Sequence, residues 1–392
     1  MTSAADKPEM ASEDISPEER LRLWVRAGAR CAMCNDYLLE HEYTALNVHT
    51  GEMAHIVGRA KSSRSPRGQT DLPVTERNLA DNLVLLCPTD HTTIDKKLGQ
   101  KVWTVENLQE LKRRHEDRVH YLTGLGEDAE TVVIRAIGGI RSGDVSVEPE
   151  AVRKAVFARQ RYPRYELGAR SGSDIEVDFR RLPAEGAEAY WETARQMLAD
   201  TGTKLADGIR RGHVRHVSVF GFTRIPLLVL LGDQLDDKFP TDLYEHHRDG
   251  LGWRWADDEQ PVSFRFERVA GEAGAQVVTL VCSISGSVPL DRLPAGTTAG
   301  AVYELRPADA DPLTDLIRVP ETLAAFSATY RAFLASIEGE HPNAKVLHVL
   351  GALPLTAAIE LGRRRTRDVH PPLRVWDRNR DGEYMFAVEV GS

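Results

Sequence analysis

No stretch of this 392-residue chain approaches the roughly 18 consecutive apolar residues that span a bilayer. The opening MTSAADKPEMASEDISPEER holds no apolar core of the kind that marks export, so a cytoplasmic protein is expected. Cysteine is scarce: the chain has 4, at positions 31, 34, 87 and 282, too few for a disulfide-stapled scaffold. Three lie near other potential metal ligands, a pattern that favours a metal over disulfides. Cys282, alone in QVVTLVCSISG, reads as a small buried hydrophobe. Basic residues do not dominate either, since 50 Lys and Arg stand against 59 Asp and Glu, for a net charge of −9. That balance excludes a protein coating nucleic acid over its whole surface and leaves room for a local basic patch. With 42% hydrophobic and 28% charged residues the composition is that of a globular protein, and the length exceeds what one core usually serves.

Residues 1–15 are polar, acidic and Pro-containing and read as a disordered tail. SPEERLRLWVRAG then starts an amphipathic helix with Pro at an early position. Short strand-like pieces around polar loops fill Cys31 to Cys87, and KVWTVENLQELKRRHEDRVHYL reads as a strand or turn followed by a helix capped at Thr104. These segments make a first domain over 16–123, ending at the linker GLGEDAE. From residue 124 to 392, strands such as TVVIRAIGG and DIEVDFRRL alternate with helices such as EPEAVRKAVFARQ, which predicts an α/β domain built mainly on parallel sheet.

That second half contains a divergent repeat, near 215–250 and 345–382. RHVSVFG (215–221) and KVLHVLG (345–351) both open on a base, place Val fifth and end in Gly. A Pro-led apolar helix follows each, PLLVLLG from Pro226 and PLTAAIELG from Pro354. Each copy then reaches an aromatic, an acid, two polar or basic residues and Arg-Asp-Gly: YEHHRDG (244–250) and WDRNRDG (376–382). Two such Rossmann-like units side by side create a pseudo-twofold cleft. Ligands of open α/β units bind beyond the carboxyl ends of the strands, where helix starts face phosphates. This places Phe222, Thr223, Arg224 and Ile225 of one copy, and Ala352, Leu353 and Thr356 of the other, at the cleft. Trp253 and Trp255 flank Arg254 in GWRW as candidates to stack on bases, and Arg363 to Arg365 are candidates to neutralise phosphates.

In the first domain, Cys31 and Cys34 form C-x-x-C, whose spacer lets two thiolates share one Zn²⁺. Cys87 is the third candidate ligand; Asp90, which repeats the two-residue spacing, or His91 completes the tetrahedron. The order His55, Asn82, His91 is a second pattern, and with the cysteines it resembles the HNH endonucleases over about residues 25–97. The resemblance implies a ββα-metal nuclease with a zinc knuckle: His55 as general base, His91 as ligand of a catalytic cation such as Mg²⁺ or Mn²⁺, and Asn82 orienting the loop that carries His55. On this reading Cys87 and Asp90 face the zinc and His91 the catalytic ion. Ala54 stands where many HNH enzymes carry an acid, which leaves the second protein ligand of that ion unidentified. Four bases without an acid, Arg59, Lys61, Arg64 and Arg67, lie between Met53 and Thr70, in a segment that reads as a flexible loop tracking a DNA backbone.

RHVSVFGFTRIPLLVLLGDQL, with YEHHRDG and GWRW after it, resembles the SAVED domain, a fusion of two CARF-like Rossmann units that bind cyclic oligonucleotides. An HNH nuclease followed by SAVED resembles effectors of bacterial cyclic-oligonucleotide antiphage signalling, CBASS. The resemblance implies an α+β and α/β multidomain protein that cuts double-stranded DNA when a cyclic di- or trinucleotide drives it into a larger homo-oligomer. The other reading is a zinc-containing DNA-binding regulator that senses a nucleotide without cutting; His55 separates the two, since a binding module has no use for a general base.

Overall fold

The structure, a computed structural model, describes residues 9–12, 14–41, 44–139, 147–164, 174–182, 188–379 and 381–391. The chain divides into two compact units, Met1–Leu125 and Gly126–Ser392.

In the first unit, α1 (Pro17–Arg26) starts where Ser16 Oγ accepts a hydrogen bond from Glu19 N at 3.2 Å, with Pro17, Glu18 and Glu19 in its first turn. Strands β1 (Glu52–His55) and β2 (Leu83–Leu86) pair antiparallel, with His55 opposite Leu83. All four residues of β2 are buried, so it forms the floor of the unit rather than a surface ribbon. Helix α2 (Pro88–Asp95) follows at once, capped by Cys87, whose Sγ accepts from Asp90 N at 3.4 Å. A single turn, α3 (Gly99–Val102), leads to α4 (Val105–Thr123), capped by Thr104 Oγ1. Leu23, Leu38, Ile56, Ile94 and Leu108 close the core around β2.

Part of the expected disordered tail is not free. Met10 bridges to Ala60, Ala11 N donates to Arg59 O at 3.1 Å, and Lys61 N donates to Glu9 O at 2.9 Å. Composition missed this because the stabilisation comes from backbone groups, which every sequence carries. The rest of that expectation, residues 1–8 and 13, lies outside the described residues.

The second unit opens with β3 (Glu130–Ile137), α5 (Pro149–Ala158), β4 (Tyr162–Pro163), β5 (Asp174–Asp178), α6 (Glu188–Arg210), β6 (Val217–Phe222), α7 (Ile225–Leu235) and β7 (Thr241–Tyr244). Their sheet runs β4-β3-β6-β7 with β5 also paired to β3, and every pairing is parallel. Next come β8 (Phe264–Ala270), β9 (Val277–Ser283), β10 (Ala301–Pro307), α8 (Pro320–Glu340), β11 (Val346–Ala352), α9 (Leu355–Arg363), β12 (Leu373–Arg378) and β13 (Tyr384–Val390). The second sheet runs β13-β12-β11-β9-β10-β8, parallel at its centre and antiparallel at both edges.

The sequence repeat is a strand-helix-strand unit in each sheet: β6, α7, β7 and β11, α9, β12. One continuous core joins them, and α7 is buried nearly all round, as its unbroken apolar run requires. The two repeat helices pack on each other through Gly232 and Gly362, at equivalent places in the two copies. A methyl added to Gly232 would overlap the carbonyl oxygen of Ile359, and one added to Gly362 that of Val229. Only glycine lets the backbones approach so closely.

Gly232→Ala and Gly362→Ala are expected to lower the urea-unfolding free energy of the second unit by about 1–3 kcal/mol, the range for overpacking a filled interior. Helix propensity alone would give the opposite sign, a gain of about 1 kcal/mol. An unchanged or raised midpoint would show that the helices separate freely.

Candidate functional site

The first unit sets β1, β2 and α2 around two groups of polar side chains. In one group, Cys31 and Cys34 of the turn after α1 meet Cys87 and Asp90 at the start of α2. Their four donor atoms lie within 4.8 Å of one another. Cys34 Sγ and Cys87 Sγ are 3.8 Å apart, and Cys31 Sγ lies 3.1 Å from Asp90 Oδ2. A tetrahedron with metal–sulfur bonds of about 2.3 Å has edges of about 3.8 Å, so this spacing fits a Zn²⁺-sized ion. Burial pushes the Cys34 and Cys87 thiols upward. Burial also opposes ionisation of Asp90, but hydrogen bonds from the three thiols outweigh it and hold the carboxyl below its ordinary value. His91 is not in this group.

The second group contains His55 at the end of β1 and His91 on α2. His91 Nδ1 is 2.5 Å from Glu52 Oε2, and its Nε2 is 3.5 Å from Asp95 Oδ2. The Asp95 bond first, then Glu52, raises the His91 pKa against the effect of burial. His55 moves the other way: burial lowers its pKa, the charges of Arg59 and His91 lower it further, and a hydrogen bond with Asn78 opposes them. His55 Nε2 lies 2.9 Å from Asn78 Oδ1. Asn82 is buried, accepts from Val57 N at 2.9 Å, and donates to Val57 O at 2.9 Å and Arg77 O at 2.8 Å. It therefore ties down the chain just beyond His55. Glu52, Asn78 and Asp95 escaped the sequence reading; the i, i+4 spacing of His91 and Asp95 on one helix face was the available signal.

The basic segment departs from expectation in two ways. It is not a free loop: Arg77, fully buried, donates to Gly58 O at 2.6 Å, Gly68 O at 3.2 Å and Leu72 O at 3.1 Å. Nor does Arg67 face solvent, since its guanidinium donates to Ile56 O at 2.7 Å, Ile94 O at 2.9 Å and Asp95 Oδ1 at 2.7 Å. A cation whose donors are spent on carbonyls is structural. Lys61 and Arg64 remain exposed, and Arg59 is half-buried.

In the second unit a cavity of about 490 Å³ opens at the carboxyl ends of β6, β7, β11 and β12. Phe222, Thr223, Arg224, Ile225, Ala352 and Leu353 line it, together with Glu245, His246, Arg248, Trp376, Asp377 and Arg378, which the sequence reading missed. Its helix starts are not open. Glu245 accepts from Leu355 N at 3.2 Å, Thr356 N at 2.8 Å and Thr356 Oγ1 at 2.5 Å, so a carboxylate of the first copy occupies the N-terminus of α9. Burial raises the Glu245 pKa, and these donors partly offset it. Asp377, the counterpart of Glu245 in the second copy, accepts from Arg224 Nε at 2.5 Å, just before α7. Each repeat thus sends an acid to the helix start of the other.

Several expected ligand contacts are corrected. Trp253 is buried against Phe220, Phe222 and His246. Trp255 packs on His247 and lines a separate hollow with Val319, while Arg254 points to solvent. Thr356 is buried on Glu245. Arg363 and Arg364 are bound to Glu360, and Arg365 donates to Pro371 O and Gly391 O. Aromatic and basic runs carry no mark of which face the backbone will bury, and here these turned inward.

Residues 197–390, all within the second unit, match the family of the SMODS-associated and fused to various effectors sensor domain, SAVED. No curated protein matches the chain. Among solved structures, the chain is similar to an Acinetobacter baumannii Cap4 SAVED/CARF-domain containing receptor with the cyclic trinucleotide 3'3'3'-cAAA, at 15% identity and a TM-score of 0.47, over 74% of this chain and 62% of that one. A Moraxella osloensis Cap4 receptor matches at 15% identity and a TM-score of 0.41, over 73% and 60%. The chain therefore spans less than two thirds of the length of those receptors. Among the described residues, no helix is long and apolar enough to cross a membrane.

Glu245→Ala leaves the buried amides of Leu355 and Thr356 without an acceptor, and is expected to lower unfolding stability by about 1–3 kcal/mol. Glu245→Gln, which keeps one acceptor oxygen, should lose less. Urea denaturation followed by the fluorescence of the second unit's tryptophans reads both, and equal stability of all three proteins would remove the carboxylate's role.

Proposed function

With a SAVED sensor domain at residues 197–390 as the premise, we propose that this chain is a cyclic-oligonucleotide-activated, metal-dependent DNA endonuclease of the HNH type, acting as an antiphage effector. The observation that carries the nuclease half is the placement of His55 at the end of β1, with its pKa lowered by burial, on the same ββα unit as His91 and its flanking carboxylates.

Phosphodiester hydrolysis needs a base for the attacking water. The lowered pKa keeps the His55 imidazole neutral near pH 7, where it can take that proton. Asn82 fixes the backbone beyond His55, and Arg67 Nη2 donates to His55 O at 3.2 Å, so the ring is carried on a pinned strand end. Glu52 orients the His91 ring through Nδ1, which leaves Nε2 facing Asp95. A divalent cation such as Mg²⁺ or Mn²⁺ would be held by His91 Nε2 with Asp95 and would supply charge stabilisation at the scissile phosphate. Zn²⁺ would be held by Cys31, Cys34, Cys87 and Asp90 and would supply folding energy to the first unit. Exposed Lys61 and Arg64 suit a phosphate backbone.

In the cavity of the second unit, exposed Arg248 and the partly engaged Arg378 offer cations for phosphates and half-buried Trp376 an aromatic face for a base, the chemistry of a cyclic di- or trinucleotide. Its binding shifts an equilibrium only through differential affinity for two states, and a cavity shared by two repeats supplies that difference when the repeats move.

Plasmid DNA incubated with a panel of cyclic di- and trinucleotides should be cut only when one of them and a divalent metal are both present. His55→Ala should abolish that cleavage with zinc content and ligand affinity unchanged; cutting by the folded variant would sink the mechanism. Cys31→Ala should lose zinc and unfold the first unit, and a stable, active variant would remove the zinc reading. Light scattering should show particle mass rising with the activating nucleotide, whereas full activity at constant mass would exclude ligand-driven assembly.

A further inference from the structure

We propose that Asn78 is a positioning residue that holds His55 as its Nε2–H tautomer, and that the N-terminal segment keeps Asn78 turned for this task. The catalytic part of the proposal rests on the nuclease reading of the first unit. The tautomer itself follows from donors and acceptors alone.

Asn78 lies between two short turns, Val74–Glu76 and Ala80–Asn82. Its Nδ2 donates to Ser12 O at 2.9 Å and to Asp14 O at 3.3 Å. Both partners are carbonyl oxygens, which only accept, so only the amide nitrogen satisfies them. The amide orientation is therefore decided by chemistry, and Oδ1 is left facing His55 Nε2 at 2.9 Å. An amide oxygen also only accepts, so Nε2 carries the hydrogen. A neutral imidazole has a single N–H, which leaves the lone pair on Nδ1. That nitrogen is then the one available to take a proton from water. Turning the amide over would set oxygen against two oxygens, and the segment that prevents this is itself fastened. Met10 bridges Ala60, and Ala11 and Glu9 bond the backbone of Arg59 and Lys61, in the loop that follows His55. Residues 9–12 and 14 thus touch both the loop beyond the base and the amide that orients it.

Two-bond nitrogen–proton correlation spectra of the histidine rings, with His55 assigned by its loss in His55→Gln, read the tautomer without any DNA. The wild-type ring should carry its hydrogen on Nε2. In Asn78→Ala the Nδ1–H form should become populated. Unchanged signals from the other histidines report that each variant is folded. In the ligand-activated cleavage assay, Asn78→Ala should lose about 100-fold in rate, the low end of the range that positioned proton transfer supplies, with the KM for DNA unchanged. A wild-type hydrogen on Nδ1, or an Asn78→Ala ring identical to wild type, overturns the tautomer assignment. Wild-type cleavage rates in Asn78→Ala overturn the positioning role. If the wild-type protein cuts no DNA with any ligand, the nuclease reading falls, and the spectra still decide the tautomer.

Discussion

The contact on which the second unit depends is the crossing of two helices at a pair of glycines. With Gly232 against the Ile359 carbonyl and Gly362 against that of Val229, α7 and α9 approach at backbone distance, and the two repeats become one core rather than two. The rest of the cavity follows from that approach. Helix starts brought so close would set like partial charges facing a shared space. At α9 the charge is offset directly by Glu245, whereas at α7 Asp377 matches the cation Arg224 that stands just before the helix. The cavity is therefore not an open anion site awaiting phosphate. Its positive groups are already partly matched, and a ligand has to compete with the protein's own carboxylates.

The first unit solves a different problem. Among its described residues it has one short two-stranded sheet and little regular structure between residues 27 and 51 or 56 and 79. Backbone carbonyls there lack sheet partners, and leaving them unsatisfied when buried is costly. Arg67 and Arg77 supply the missing donors, each spreading one guanidinium over several carbonyls. These arginines do for the loops what a third strand would do for a sheet, and they fix the frame in which His55 and His91 sit.

How much of this was legible depended on whether the signal was local. The strand-glycine-helix repeat, the alternation of strands and helices, the Pro-led helix after Ser16 and the cap at Thr104 rest on spacing within one element, and they read directly. So did the clustering of Cys31 and Cys34 with Cys87, where a two-residue spacer dictates a shared turn; between Asp90 and His91 the spacing left a choice, and the structure groups Asp90 with the cysteines. The cavity was half legible: glycine turns located the helix starts, while Glu245 and Asp377 looked like ordinary strand-end acids because their partners lie more than a hundred residues away in sequence. Arg67 and the GWRW tryptophans misled for one reason. A basic or aromatic side chain is as able to saturate or fill an interior as to meet a ligand, and only the tertiary structure decides.

Cys87 has a consequence of another kind. It caps α2 and belongs to the thiol cluster, while His91 stands one turn further along the same helix. Inserting or deleting one residue between them would rotate everything downstream by about 100° about the helix axis. The cluster and the histidine would then no longer face their separate partners. In this stretch the spacing is a stricter constraint than the side chains at its exposed positions: Thr89 is free to vary, but the number of residues from 87 to 91 is not.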